Sequence, residues 1–153
     1  MRVVADTGGI VAAINEAEPD HAQFRAALES ASAAYVTPLV VTEVHHVLTS
    51  AGLPEAADDF IDDLGSGFFE LVNPSPADLS KASELVQRYR GSMQRKRRKP
   101  GSLDLADAMN VMVAAAQGTN LLVATDQDYR AVVPLSGHPA FVLLPYDNPV
   151  NRL

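Results

Sequence analysis

Val3-Val4-Ala5-Asp6-Thr7-Gly8-Gly9 sets a pattern that the rest of the chain repeats. Three apolar residues, two of them β-branched, predict a short buried strand over 3–5 that ends on a carboxylate. Gly8 and Gly9 break the strand, and a helical segment follows to about Glu16. The same arrangement recurs at Leu121-Leu122-Val123-Ala124-Thr125-Asp126, a strand over 121–124 followed by an aspartate with one threonine between.

The chain between these stretches alternates in type. A helix is predicted over 20–30, with Phe24, Ala27 and Leu28 on its apolar side, and a brief strand over 35–37 is closed by Pro38. Val40, Val44, Val47, Leu48 and Ala51 recur at helical spacing as far as Gly52. Pro54 opens a helix with Phe60, Ile61 and Leu64 facing in and Asp58, Asp59, Asp62 and Asp63 on the opposite face. A strand over 68–72 and a helix from Pro76 to about Tyr89 precede a loop over 91–101. Ser102 is the expected cap of a helix over 103–117 that ends at Gly118. The last strand is expected over 141–144, between Pro139 and Pro145. This alternation predicts an α/β fold with a mostly parallel sheet covered by helices on both faces, with residues 1–153 as one domain.

The 153 residues are 47% hydrophobic and 20% charged, a globular composition. With no cysteine, disulfides, thiolate nucleophiles and zinc–thiolate sites are excluded. No apolar run is long enough to cross a membrane, and the expectation is a soluble, cytoplasmic protein. The net charge is −7, which alone argues against an anionic partner. Its distribution argues the other way. Arg88, Arg90, Arg95, Lys96, Arg97, Arg98 and Lys99 follow one another without an intervening acid, leaving the remainder of the chain far more negative. Such a run is either a solvated loop or a cationic strip on an anionic body.

In open α/β sheets ligands bind beyond the carboxyl ends of the strands. Asp6 and Asp126 both stand there, although a strand-end aspartate can also cap the next helix. Glu43 falls within the apolar stripe of Val40, Val44 and Val47, where a carboxylate is costly unless a cation or donors compensate or it reaches solvent from the stripe edge. The 103–116 segment is apolar nearly all round, and Asp104, Asp107 and Asn110 form its only polar stripe. Asp104 lies in the first turn, where an acid complements the helix dipole. Asp107 lies further in and is the stronger site candidate. Carboxylates gathered on one rim repel one another, and Mg²⁺ or Mn²⁺ is the natural occupant. Such a centre suits hydrolysis of phosphodiesters.

With those residues in place, the chain resembles the PIN-domain nucleases, specifically the VapC-type toxins of bacterial toxin–antitoxin pairs. The matching motifs are Val3-Val4-Ala5-Asp6-Thr7, Val41-Thr42-Glu43-Val44, Leu103-Asp104-Leu105-Ala106-Asp107-Ala108 and Ala124-Thr125-Asp126-Gln127-Asp128-Tyr129, in that order. The resemblance implies a PIN-like three-layer α/β/α fold. It implies that Asp6, Glu43, Asp107 and Asp126 hold Mg²⁺ or Mn²⁺, with Asp104 and Asp128 as helpers and Thr7 supporting them. It further implies RNA cleavage, a homodimer and inhibition by a small antitoxin protein. The Arg95, Lys96, Arg97, Arg98 and Lys99 run is expected to contact the RNA.

Three rival readings fit the residues less well. Asp6-Thr7-Gly8 resembles the aspartic-protease motif, but that fold is nearly all β. A receiver domain needs a lysine at a late strand end, and the chain has only Lys81, Lys96 and Lys99. A catalytically inactive PIN-like module that binds RNA or protein would be expected to lack an acid, and none is missing. His21, His45, His46 and His138 offer no pair with ligand spacing.

Overall fold

The computed structural model describes residues 1–94 and 103–147. The strands are β1 (Arg2–Ala5), β2 (Ala33–Val36), β3 (Glu70–Leu71), β4 (Leu121–Val123) and β5 (Val142–Leu144). The helices are α1 (Thr7–Ile14), α2 (His21–Glu29), α3 (Pro38–Ser50), α4 (Pro54–Ser66), α5 (Pro76–Gln94) and α6 (Leu105–Ala116). A 3₁₀ turn (Gln127–Ala131) follows β4. All strand pairs are parallel, in the order β3-β2-β1-β4-β5. The expected mostly parallel sheet is therefore parallel throughout these five strands.

Alternation along each strand divides the core into two layers. Val3, Ala5, Val36, Val123 and Leu144 pack with residues of α1, α2, α3 and α4. Val4, Tyr35, Leu122 and Leu143 face the other way, onto α5 and α6. Burial on both faces explains why the strands read as unbroken apolar runs rather than as polar–apolar alternation. The result is the α/β/α sandwich expected from the sequence.

The chain winds outward from β1 through β2 to β3, then crosses back over the opposite face to β4 and β5. Winding reverses between β1 and β4, which opens a crevice beyond their carboxyl ends. The two strands are in register through Val4↔Leu122 and Ala5↔Val123, and the Asp6 amide donates to the Val123 carbonyl at 3.0 Å. Asp6 and Asp126 thus border the same crevice.

Several local expectations change in three dimensions. The stripe of α3 that reaches the core is Val40, Val44 and Leu48, whereas Val47 is exposed and Glu43 is half-buried at the stripe edge. Ile61 likewise faces solvent, while Ala57 and Phe60 carry the contact from α4. The helix from Pro76 continues to Gln94, so the first residues of the expected 91–101 loop are helical. Ser102 and the basic run at 95–99 lie outside the described residues. The cap of α6 is Asp104, not Ser102, because its carboxylate receives the Asp107 amide at 2.8 Å.

Candidate active site

Asp6 leaves β1 directly at the N-terminus of α1. Its side chain makes no capping hydrogen bond to that helix. Asp6 Oδ1 instead accepts from Asn110 Nδ2 at 2.9 Å, and the residue is almost wholly buried. Removal from water is the main reason its pKa rises to about 6, and the charges of Glu43 and Asp104 push the same way. The Thr7 amide and the Tyr129 hydroxyl act in the opposite direction.

α1 comes close to this strand end because Gly9 has no side chain. A Cβ built there would lie 2.6 Å from the Val123 carbonyl carbon and 3.0 Å from the Ala124 nitrogen. The close seat fixes where Asp6 and Thr7 emerge. Thr7 uses its position to donate Oγ1–H to Glu43 Oε2 at 2.6 Å, tying α1 to α3.

Asp107 occupies the third position of α6, and both its oxygens are engaged. Oδ2 accepts from the Asp104 amide at 3.0 Å and Oδ1 accepts from the Tyr129 hydroxyl at 3.1 Å. Asp104 and Asp107 therefore form a reciprocal capping box, so Asp107 has a structural task as well as a buried charge. Burial raises its pKa most, followed by repulsion from Asp6.

Asp126 stands on the same crevice, half-buried, with Oδ1 accepting from the Asp128 amide at 2.8 Å to cap the 3₁₀ turn. Its charge is not among those acting on Asp6 or Asp107. Asp128, within the turn, is buried. Asp6 and Asp107 are accordingly the tightly interacting pair, Glu43 adds its field to Asp6, and Asp126 borders the rim.

Two polar side chains complete the interior of the site. Asn110 Nδ2 donates to Asp6 and, at 3.0 Å, to the Tyr129 hydroxyl. Tyr129 is 1% exposed, and its hydroxyl pKa is driven well above its ordinary value by burial and then by the charges of Asp6 and Asp107. The sequence alone places Asn110 on the polar stripe of its helix but assigns it no task, and it does not single out Tyr129. An aromatic residue in a turn reads as core packing until its hydroxyl partners are known.

Among the described residues, no three His, Asp or Glu side chains close on one point as a metal cage. The donor set nevertheless suits a hard cation. Mg²⁺ is commonly held through one or two carboxylates and otherwise by water. A cation between Asp6 and Asp107 would relieve the repulsion and burial that raise both pKa values. Two carboxylates with Glu43 and Asp126 nearby fit that description.

Known proteins resemble this chain in sequence and in fold. The chain is 28% identical over 144 residues to ribonuclease VapC26 of Mycobacterium tuberculosis strain H37Rv, covering 94% of this chain and 100% of the relative. Its fold matches the crystal structure of VapC20 from Mycobacterium tuberculosis, a sarcin-ricin loop cleaving toxin. The TM-score is 0.72 at 18% identity, over 90% of this chain and 99% of that one. At that identity the likeness concerns the fold. The PIN domain family profile matches residues 3–133, the strand ends and helices that carry all four acids. The chain belongs to the PIN domain family.

Proposed function

We propose that this protein is a Mg²⁺- or Mn²⁺-dependent endoribonuclease, acting as the toxin of a toxin–antitoxin pair, with residues 1–153 as one functional domain. The observation that carries the reading is the buried, mutually repelling pair Asp6 and Asp107 beside the β1/β4 switch point. The similarity to ribonuclease VapC26 supports RNA as the substrate and an antitoxin as the partner. Homodimer formation and a cytoplasmic location belong to the same reading. Among the described residues, no helix is long and apolar enough to cross a membrane.

In this reading Asp6 and Asp107 would hold the cation, with Glu43 on α3 and Asp126 past the end of β4 as the further acids available to it. A divalent ion bound there supplies Lewis acidity and a water of lowered pKa. Thr7 holds the Glu43 carboxylate through its hydroxyl. Asp104 fixes Asp107 through the capping box rather than by contact with RNA. Asp128 supports the turn through its amide. Arg95, Lys96, Arg97, Arg98 and Lys99 directly precede the Asp107 helix in sequence, and in this reading they attract RNA phosphates against a negative body.

The test is incubation of the purified protein with RNA in EDTA, Mg²⁺ or Mn²⁺. Cleavage in either metal and none in EDTA is expected. Binding of RNA without cleavage in any condition would instead identify an inactive RNA-binding module.

A further inference from the structure

The interior behind the carboxylates contains a chain of polar groups that packing alone does not require. Asn110 is fully buried, and both donors of its amide are spent, on Asp6 Oδ1 at 2.9 Å and on the Tyr129 hydroxyl at 3.0 Å. An amide nitrogen only donates, so the Tyr129 oxygen accepts there and its single proton is left for the carboxylates, with Asp107 Oδ1 at 3.1 Å. The chain is therefore directed from Asn110 and Tyr129 toward the two acids. It runs from Asn110 outward to Asp6 on one side and through Tyr129 to Asp107 on the other.

The amide oxygen of Asn110 is buried and has no hydrogen-bond partner among the described residues. An unpaired buried acceptor destabilises the fold. Turning the amide over would set that oxygen against the Asp6 carboxylate, so the carboxylate dictates the orientation and the oxygen stays unpaired. Leucine and phenylalanine at the two positions would fill similar space with no buried polar group. A polar pair retained at such a place is explained by what it touches.

We propose that Asn110 and Tyr129 are positioning residues that brace the Asp6 and Asp107 carboxylates, which lie on separate elements, so that both would be available to one divalent cation. The inference rests on the metal-dependent reading above. It adds to that reading a pair of interior residues that set metal affinity without touching metal or RNA. Outer hydrogen-bond partners of metal ligands commonly change affinity by about 10–100-fold.

The test compares wild type, Tyr129→Phe, Asn110→Leu and the double variant Asn110→Leu/Tyr129→Phe. Melting temperature without metal and Mn²⁺ affinity by calorimetry or electron paramagnetic resonance are measured for each. Single variants leave a donor or acceptor of the Asn110–Tyr129 bond unmatched and should melt lower, whereas the double variant removes both ends of that bond and should melt higher than the two single losses added together would give. Mn²⁺ affinity should not recover: the double variant should bind at least about 10-fold more weakly than wild type. A double variant that binds Mn²⁺ as wild type does would overturn the proposal and leave the pair as core packing. Loss of affinity that follows melting temperature across all three variants would overturn it equally. If wild type itself bound no Mn²⁺ while keeping its fold, the metal reading would fail, and this inference with it.

Discussion

Replacing Gly9 with alanine sets two effects of known sign against each other. Alanine favours a helix interior by about 1 kcal/mol over glycine. The added methyl would lie 2.6 Å from the Val123 carbonyl carbon, where ordinary contact begins at 3.4 Å, and it would overlap the carbonyl oxygen itself. The obstacle is strand backbone paired on both sides, through Ala5 and Leu144, so it cannot rotate away as a side chain would. α1 must lift by roughly 0.8 Å or more, and overpacking of this kind costs about 1–3 kcal/mol. The clash should offset the gain, leaving a net loss of up to about 2 kcal/mol, or up to roughly 8 °C in melting temperature for a chain of this size. Because Asp6 and Thr7 stand at the lifted end, RNA cleavage should fall further than stability does, by up to about 100-fold for a displacement near 1 Å. Gly65→Ala in α4 is the matched control, since no atom lies within 4 Å of its added methyl. It should leave cleavage unchanged and raise stability by up to about 1 kcal/mol. Melting curves and initial cleavage rates for both variants decide the matter. If Gly9→Ala were stabilised as Gly65→Ala is, the close seat of α1 on β4 would be wrong.

Three further outcomes are expected. Asp6 has a folded pKa of about 6 against an ordinary 3.8, so its contribution to stability is fully present below pH 3.8 and is lost as pH rises through 6. The metal-free penalty at pH 7 is on the order of 3 kcal/mol; the melting advantage of Asp6→Asn over wild type should widen from pH 4 to pH 7, and a constant difference would contradict it. Asp104→Ala removes the cap of α6 and should cost about 1 kcal/mol in chemical denaturation, with cleavage reduced less than in Asp107→Asn; equal losses would give Asp104 a direct role. Replacing Arg95, Lys96, Arg97, Arg98 and Lys99 with Gln should weaken binding to all RNAs alike and flatten the log–log salt dependence by roughly 0.7 for each phosphate no longer neutralised, and an unchanged slope would exclude the run from the RNA path.

The parts of this molecule that sequence could reveal are those written in local chemistry. Apolar runs ending on Asp6 and Asp126 place strands and the rim together, because a strand buried on both faces needs an unbroken apolar run and a strand end is where a carboxylate can emerge. Proline at the starts of α3, α4 and α5 marks helices for an equally local reason. Helical faces are less legible. Val47 and Ile61 have the right spacing but sit just past the edge of the buried face, and only the packing angle of α3 and α4 decides that. Asp107 stands out in the sequence for its burial, yet its capping bond to Asp104 depends on where α6 begins, two residues later than the apolar pattern suggests. Tyr129 is the clearest limit. It stands beside Asp126 and Asp128 in sequence, but the partners of its hydroxyl, Asn110 and Asp107, lie on another element.

In the reading proposed above, Asp6 and Asp107 form the metal-dependent centre that cuts RNA. Single-turnover cleavage of a labelled RNA, across a Mn²⁺ titration from metal-free protein, tests it most directly in wild type, Asp6→Asn and Asp107→Asn. Wild type should be inert without metal and active with it. Each variant should lose about 100-fold or more in rate at saturating Mn²⁺ while still melting cooperatively, because the ligands act as a unit. A folded Asp6→Asn or Asp107→Asn that cleaved at the wild-type rate, or a wild type equally active in EDTA, would contradict the account.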